Sequence, residues 1–329
     1  MKLASLKEGG RDGTLVVVSR DLTHAVRAAH IAPTLQAALE DWATVEPELK
    51  SLYRLLNEGH LSGAFALDTA TLAAPLPRAY QFLDGSAYLN HAELVRKARG
   101  AEMPPSLYND PLMYQAVSDG FLGPTDDIQA ATTDWGIDFE AELTVVLDDV
   151  PMGIKAAVAG RHIKLFMLVN DVSLRALIPA ELAKGFGFVV SKPRSALSPV
   201  AVTADEFGDA WDGEILHLPL TVTLNGRKFG SPNLGVDCNF SFARLIEHAA
   251  QSRPLGAGTI IGSGTISNRD RSVGSCCIAE QRTLETLDSG KPKTPFMGFG
   301  DRVRIEMLDK AGHSIFGAIE QKVVKYAGP

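Results

Sequence analysis

Short runs of apolar residues, separated by glycine, asparagine and aspartate, occupy most of the chain. Leu218–Leu224 is followed by Asn225–Gly226, a pair typical of a two-residue hairpin turn. Arg302–Leu308 leads through Asp309–Gly312 into Ser314–Val324, which indicates a second pair of strands. The pattern predicts a strand-rich region over the larger part of the chain.

Residues 1–75 follow a different pattern. Met1–Leu6 and Thr14–Ser19 flank a glycine-rich turn and predict a β-hairpin. Thr34–Thr44 and Glu46–Asn57 are predicted helices, and the second has acidic residues in its first turn, where the helix dipole favours them. Strands followed by helices indicate a small α+β unit.

A boundary between the two regions is predicted at Ala73–Arg78, where two prolines interrupt any regular element. The chain has 329 residues, of which 45% are hydrophobic, enough for a sizeable core and for two domains. We therefore expect an α+β, mainly β fold with a small N-terminal domain at 1–75 and a larger domain at 76–329.

The apolar run Ile137–Leu147 carries two glutamates, Glu140 and Glu142, on one face of the predicted strand. Alternation places Phe139 and the other apolar side chains on the opposite face. Two carboxylates about 7 Å apart on an interior sheet face repel each other and lose hydration unless a cation or a proton compensates. A strand with one face in water shows the same alternation, so this pattern by itself leaves both explanations open.

Two aspartates also follow apolar runs. Asp171 follows Ile163–Asn170 and precedes a predicted helix at Ser173–Ala183, and Asp84 follows Tyr80–Leu83. Carboxylates at strand ends and on one strand face can converge as ligands for Mg²⁺, Ca²⁺ or Mn²⁺, which prefer oxygen donors to His and Cys. The predicted divalent-metal ligands are Asp84, Glu140, Glu142 and Asp171.

The order of these residues resembles that in the fumarylacetoacetate hydrolases, which cleave carbon–carbon bonds in diketo acids. In that family an Asp is followed by a His, a Glu-x-Glu strand, an Asn-Asp strand end, a Lys, a Ser-Gly-Thr turn and a late Glu. The matching residues are Asp84, His91, Glu140, Glu142, Asn170, Asp171, Lys192, Ser263, Gly264, Thr265 and Glu280. The resemblance implies a catalytic domain built as a roll of β-sheets, and a homodimer.

The resemblance also implies catalytic roles. A His with an unperturbed pKa of about 6.5 suits deprotonation of water near neutral pH. His91 is therefore the expected general base, and Glu280 is expected to orient it. Lys192 is expected beside the metal and the leaving enolate, with Lys184 as the competing lysine.

Four residues are expected to contact the substrate. Thr265 and the backbone amide of Gly264 could hold a carboxylate, as nests of N–H groups do. Tyr114 resembles a family tyrosine that contacts substrate, and Arg99 lies near the position of a family arginine that binds carboxylate. Polar residues that contact the far end of fumarylacetoacetate in the animal enzymes are replaced here by Ser86, Ile178 and Leu182.

The composition of the chain argues against some classes of binding partner. The chain has 32 basic and 39 acidic residues, a formal net charge of −7, and no dense basic run, which argues against nucleic acid. No apolar stretch is long enough to span a bilayer, so no membrane contact is expected. The three cysteines, Cys238, Cys276 and Cys277, suit a reducing cytoplasm.

These observations predict a hydrolase that cleaves a carbon–carbon bond in a β-diketo acid, fumarylacetoacetate or a related acylpyruvate from aromatic catabolism, with Mg²⁺, Ca²⁺ or Mn²⁺. Such a substrate can chelate the ion, which polarises the attacked carbonyl. Oxaloacetate decarboxylation and 2-keto acid hydration or isomerisation could use the same site. A silent metal-binding scaffold is the alternative from another class, and it has no use for a His–Glu pair.

Overall fold

The structure, a computed structural model, describes residues 1–98 and 102–328. The strands in these ranges are β1 (Lys2–Leu6), β2 (Thr14–Val18), β3 (His24–Arg27), β4 (Phe65–Ala66), β5 (Phe82–Gly85), β6 (Met113–Ala116), β7 (Ile128–Ala130), β8 (Ile137–Asp138), β9 (Ala141–Leu147), β10 (Ile163–Asn170), β11 (Ser173–Leu174), β12 (Ala196–Leu197), β13 (Ala201–Val202), β14 (Leu220–Leu224), β15 (Arg227–Gly230), β16 (Ile260–Gly262), β17 (Arg302–Met307) and β18 (Ile319–Lys325). The α-helices are α1 (Leu35–Glu40), α2 (Trp42–Asn57), α3 (Leu89–Ala98), α4 (Ala156–Ala159), α5 (Ile178–Leu182), α6 (Phe242–Ala249) and α7 (Ile278–Ser289). Short 3₁₀ helices lie at Thr69–Thr71, Pro105–Tyr108, Thr133–Trp135, Gly160–His162, Ala204–Ala210 and Arg271–Val273. Within the described ranges, no helix is long and apolar enough to cross a membrane.

The largest sheet has 11 strands in the order β4-β3-β2-β1-β13-β10-β9-β16-β5-β6, with β12 paired to β10. At its centre β9 and β10 are antiparallel, with Glu142 opposite Val169. Strand β16 runs antiparallel to β9 and parallel to β5. This order brings β5, β9 and β10, which carry or precede three of the predicted metal ligands, to the same part of the sheet.

Side chains of β9 alternate between two hydrophobic clusters. Leu143 and Val145 belong to one cluster, and Val146 belongs to the other, which also contains residues of α1 and α2. The predicted alternation is confirmed, but both faces of this strand are buried. The regular strand is interrupted before Ala141, because Glu140 forms an isolated bridge with Cys277 instead of continuing the ladder with β10.

The N-terminal hairpin is confirmed, with β1 and β2 paired in antiparallel register. The two predicted helices are confirmed as α1 and α2, both of which pack near the hairpin. The predicted start of the second helix is wrong, because α2 begins at Trp42 and its first turn contains no acidic residue. Strand β1 also pairs with β13, with Leu3 opposite Ala201. The N-terminal strands therefore extend the largest sheet, and the domain boundary near residue 75 stays a prediction.

A second sheet has 5 strands in the order β15-β14-β17-β18-β7. Its first hairpin turns at Asn225 and Gly226, whose φ angles of 52° and 74° are the left-handed values that a tight hairpin requires. The predicted strand at Ser314–Val324 is wrong in its first part, since β18 begins at Ile319.

The predicted helix at Ser173–Ala183 is also wrong in its first part. Ser173 and Leu174 form β11, which pairs with β8, and a helix begins only at Ile178. Pro179 lies in the first turn of this helix, where its missing N–H costs nothing, whereas it would break a helix that began at residue 173.

A core test follows from Phe166, which is 1% exposed and packs edge-on against Phe207 and Trp211 at 5.0 and 5.1 Å between ring centroids. Phe166→Ala should lower the free energy of unfolding by about 3–5 kcal/mol, because it leaves a cavity among these rings. Urea denaturation measures the loss. As a control, Phe186→Ala at a fully exposed position should change it by no more than about 0.5 kcal/mol. Equal effects would contradict this description of the core.

Candidate metal centre

Three buried carboxylates converge from separate parts of the largest sheet. Asp84 lies in β5, Glu142 in β9, and Asp171 directly follows β10. Each offers an oxygen within 4.8 Å of the other two. Strand β16 lies between β9 and β5, and it passes this point with Gly262, where a Cβ would overlap Oδ1 of Asp84. The sheet register therefore holds the three acids together, and the glycine leaves room for them.

The negative charge of this cluster is least compensated at Glu142. Among the described residues, neither carboxylate oxygen of Glu142 has a hydrogen-bond partner. Burial raises its pKa well above the usual value, and the charges of Asp84 and Asp171 raise it further. Burial and Asp171 likewise raise the pKa of Asp84 to about 7. Clustered carboxylate oxygens are the hard donors that Mg²⁺, Mn²⁺ or Ca²⁺ prefers, and those of Glu142 have no other partner, so the three residues fit a divalent ion.

Glu140, the fourth predicted ligand, lies beside this cluster with its charge compensated. Oε1 accepts from Nη2 of Arg175 at 2.5 Å, and Oε2 accepts from Nζ of Lys192 at 2.5 Å. Burial by itself raises the pKa of Glu140, but the two cations outweigh burial and hold that pKa well below the usual range. Glu140 is therefore a permanent carboxylate, and its role as a metal ligand stays a prediction.

The structure distinguishes the two candidate lysines. Lys192 is 5% exposed, and its Nζ lies 2.5 Å from an oxygen of Glu140 and 2.5 Å from one of Asp171. Burial lowers the pKa of this amine, but the two carboxylates outweigh burial and raise it. Lys184 is exposed to solvent. Lys192 is thus the lysine that brings a fixed positive charge to the cluster.

The predicted acid–base pair is close in space. His91 lies on α3 and Glu280 on α7, and Nδ1 of His91 is 2.9 Å from Oε2 of Glu280. Glu280 is buried, whereas the His91 side chain is 18% exposed. A carboxylate at Nδ1 fixes the ring and favours the tautomer whose Nε2 is free to accept a proton. A ring nitrogen of His91 also lies within 4.8 Å of an oxygen of Glu140, so the pair adjoins the acid cluster.

Two charged residues that the sequence reasoning missed join the cluster to α7. Arg175 donates from Nε to Asp138 at 2.8 Å and from Nη2 to Glu140. Asp138 also accepts from the amides of Ile278 and Ala279, which begin α7. The sequence did contain a sign of Asp138, because it stands two residues before Glu140 and side chains at this spacing lie on the same side of a strand.

Two hydroxyl groups contact Asp171. The Tyr114 hydroxyl donates to Oδ2 at 2.5 Å, and the Ser195 hydroxyl donates to Oδ1 at 2.7 Å. Tyr114 was expected near a substrate, whereas Ser195 was missed because its position in the sequence carries no distinguishing pattern. Burial raises the pKa of Tyr114 well above the usual value, with Asp171 adding to the effect, so this phenol stays protonated.

Two further predicted substrate contacts, Gly264 and Thr265, lie in the turn beside Asp84. Gly264 has a φ of 71°, a left-handed value that favours glycine, and its amide donates to Oδ1 of Asp84 at 3.1 Å. This amide therefore supports a predicted metal ligand. Thr265 is buried next to it. Arg99 lies outside the described residues.

The sheets and the cluster define a mixed α/β protein with a candidate centre of buried carboxylate oxygens beside a His–Glu pair. The family model described as fumarylacetoacetate (FAA) hydrolase C-terminal matches residues 81–324, and the model described as fumarylacetoacetase N-terminal domain 2 matches residues 1–78. The chain belongs to the fumarylacetoacetate hydrolase family, as the residue order predicted.

Several known proteins are similar to this chain. An uncharacterized protein of Pyrococcus horikoshii is 24% identical over 176 residues, which cover 54% of this chain and 73% of that protein. The structure of maleylpyruvate hydrolase from Sphingobium sp. SYK-6 with manganese(II) and pyruvate is 17% identical, with a TM-score of 0.65 over 99% of each chain. The 5-carboxymethyl-2-hydroxymuconate delta-isomerase of Mycobacterium smegmatis is 18% identical, with a TM-score of 0.61 over 100% of each chain. The likeness to the two structures shows a shared fold.

The raised carboxylate pKa values predict how stability depends on pH without metal. A folded-state pKa of about 7 for Asp84, raised from 3.8, means that its stabilising proton is fully bound below pH 3.8 and lost as pH rises through 7. With EDTA, the melting temperature should therefore fall as pH rises from about 4 to about 7. Saturating Mn²⁺ should remove the fall, and Glu142→Gln should reduce it.

Glu285→Gln is the matched control, because hydrogen bonds outweigh burial there and lower the carboxylate pKa to about 2. This variant should keep the wild-type pH dependence. A metal-free melting temperature that is constant or rises over this pH range would contradict the assignment of the cluster.

Proposed function

We propose that this protein is a divalent-metal-dependent hydrolase that cleaves a carbon–carbon bond in a β-diketo acid. The observation that carries the proposal is the pair of unpartnered, buried oxygens of Glu142 facing Asp84 and Asp171, next to the His91–Glu280 pair. The first group fits a divalent ion, and the second fits activation of water. Their proximity supports hydrolysis over metal binding alone.

Asp84, Glu142 and Asp171 would hold the ion, with Glu140 at the edge of the site. When bound, the ion would supply positive charge that polarises the carbonyl groups of the substrate. Mg²⁺, Mn²⁺ and Ca²⁺ all suit this oxygen donor set.

His91 takes a proton from water at Nε2, while Glu280 holds Nδ1 and stabilises the resulting imidazolium. The hydroxide adds to a carbonyl carbon, and the carbon–carbon bond breaks with its electron pair leaving on the adjacent carbon. That carbon then takes up a proton, which gives a carboxylic acid and a ketone. The Lys192 ammonium, which contacts Glu140 and Asp171, would stabilise the negative charge of the leaving fragment.

The substrate class we favour is an acylpyruvate. Maleylpyruvate hydrolase, which shares the fold, was solved with manganese(II) and pyruvate, and pyruvate is the ketone fragment that cleavage of an acylpyruvate would release. Fumarylacetoacetate is a second substrate of the same chemical kind. The homodimer implied by the resemblance stays a prediction.

Isomerisation is the second candidate, because the fold also aligns along its whole length with an isomerase of a hydroxymuconate. In that reaction a proton moves between carbons and no water is consumed. Decarboxylation of oxaloacetate likewise needs no attacking water. The His91–Glu280 pair argues against decarboxylation, which needs no general base, whereas isomerisation would use the pair for proton transfer, so the product must separate isomerisation from hydrolysis.

His91→Ala should lower kcat by about 10²- to 10⁴-fold, the usual contribution of a general base, while Mn²⁺ binding remains. Steady-state kinetics and calorimetric Mn²⁺ titration measure the two effects. His162→Ala is a matched control, because Nδ1 of His162 also pairs with a carboxylate, Asp148, at 2.6 Å. Comparable losses in both variants, or a near-wild-type kcat for His91→Ala, would remove His91 from the proposed role.

The product separates hydrolysis from its alternatives. In ¹⁸O-labelled water, cleavage of an acylpyruvate should place label in the new carboxylate and release pyruvate, as mass spectrometry would show. EDTA should abolish this and Mn²⁺ or Mg²⁺ should restore it. Unlabelled isomerised product, or CO₂ release from oxaloacetate at a much higher kcat/KM, would assign one of the alternatives. Full activity after exhaustive EDTA treatment would reject the metal site.

A further inference from the structure

Glu181, near the end of α5, accepts hydrogen bonds from three consecutive residues. Its carboxylate accepts hydrogen bonds from the amides of Val189 at 2.9 Å, Val190 at 2.8 Å and Ser191 at 3.1 Å, and from the Ser191 hydroxyl. The Ser191 hydroxyl and these amides lower the pKa of Glu181 to about 2, so the carboxylate is charged at any working pH. We call this arrangement the Glu181 clamp.

Both flanks of the clamped segment reach the acid cluster. On one side, Phe188 packs edge-on against Tyr114 at 4.9 Å between ring centroids, and Tyr114 donates to Asp171. On the other side, Lys192 directly follows Ser191 and reaches Asp171 and Glu140. The clamp therefore determines where two side chains meet the candidate site.

Apart from the contact of Phe188 with Tyr114, side-chain packing contributes little to this segment before Ser191. Phe186 is fully exposed and lies between Gly185 and Gly187, which have left-handed φ angles of 75° and 104°. Val189 and Val190 are 77% and 62% exposed. Burial begins only at Ser191, whose carbonyl also accepts from the amide of Leu174. Since apolar contacts do not hold Val189 and Val190, the charged hydrogen bonds to Glu181 are the main restraint on the approach to Lys192.

We propose that Glu181 is a positioning residue that fixes the Lys192 ammonium against Glu140 and Asp171. The placement of Lys192 is independent of the reaction, whereas its effect on turnover rests on the proposed function. Glu181 touches no reacting atom and acts through the backbone of Val189 to Ser191. Misplacement of a charged group by about 1 Å can cost about 10²-fold in rate.

The variant for the test is Glu181→Gln, which keeps the shape of the side chain but replaces one acceptor oxygen with an NH₂ group that opposes the amide donors. Glu285→Gln is the matched control. Glu285 accepts from the amides of Lys293 at 2.5 Å and Thr294 at 2.8 Å and from the Thr294 hydroxyl at 2.6 Å, in the loop after α7 and not in the segment that precedes Lys192. Both variants lose the same kind of clamp.

The first measurement is the rate at which an amine-reactive reagent modifies Lys192, read by mass spectrometry on the intact, metal-free protein. Glu181→Gln should raise this rate by about tenfold or more, because the ammonium leaves its buried ion pairs more often. Glu285→Gln should leave it unchanged. This measurement needs neither a metal nor a substrate, so it decides the placement of Lys192 even if the proposed function fails.

The second measurement is a double-mutant cycle on kcat with acylpyruvate and Mn²⁺. Glu181→Gln should lower kcat by about 10- to 100-fold with a smaller change in KM, and it should cause no further loss in a Lys192→Met background. A residue that only stabilises the fold would cause the same loss in both backgrounds. If Glu181→Gln does not fold, Ser191→Ala removes one of the four hydrogen bonds and should give a smaller loss with the same dependence on Lys192.

Unchanged modification of Lys192 in Glu181→Gln would overturn the proposal, as would equal acceleration in Glu285→Gln. Additive losses in the kcat cycle would also overturn it. If no diketo acid is cleaved by the wild type, the proposed function fails and the modification rate alone decides the role of Glu181.

Discussion

Repulsion between carboxylates that the sheet does not allow to separate is the constraint on which the site depends. Five acids lie together in the interior, Asp84, Asp138, Glu140, Glu142 and Asp171, and the cations paired with them are Arg175 and Lys192. Five negative charges against two positive charges leave three uncompensated. A buried charge without compensation costs several kcal/mol, so protons or a divalent ion must supply the remainder. The raised pKa values of Asp84 and Glu142 are the response of the protein without an ion.

Arg175 and Lys192 pair with some of these acids and not with others, and the pKa values of the acids differ accordingly. Arg175 and Lys192 keep Glu140 ionised, whereas neither side chain hydrogen-bonds Glu142, whose oxygens face other carboxylates. Arg175 also donates to Asp138, which accepts a hydrogen bond from the first amide of α7. Helix α7 carries Glu280. The predicted metal ligand Asp171 and the helix that carries Glu280 therefore belong to one hydrogen-bonded network, which runs through Lys192, Glu140, Arg175 and Asp138. A shift of Arg175 would move a predicted metal ligand and the helix that orients the base together.

Much of this arrangement could be predicted from local pattern. Alternation placed Glu140 and Glu142 on one side of a strand, and the ends of apolar runs located Asp84 and Asp171. The pattern could not show the interruption of the strand at Glu140, because its cause is a bridge to Cys277, which is distant in sequence. Arg175, Ser195 and Glu181 were missed for a similar reason, since each is defined by partners that only the fold brings near. The predicted helix at 173–183 was wrong over its first residues, because Ser173 and Leu174 pair with β8 and Pro179 fits only the first turn of a helix.

The site combines parts of unequal rigidity. Asp84 and Glu142 are carried by paired strands of the largest sheet, so backbone hydrogen bonds set their spacing. Lys192 follows an exposed loop and depends on hydrogen bonds to a single carboxylate. A change in that loop can alter how positive charge meets a leaving group without disturbing the ion. The sheet therefore fixes the carboxylates of the candidate metal centre, and the loop is the part of the site where we expect differences between hydrolysis, isomerisation and decarboxylation to arise.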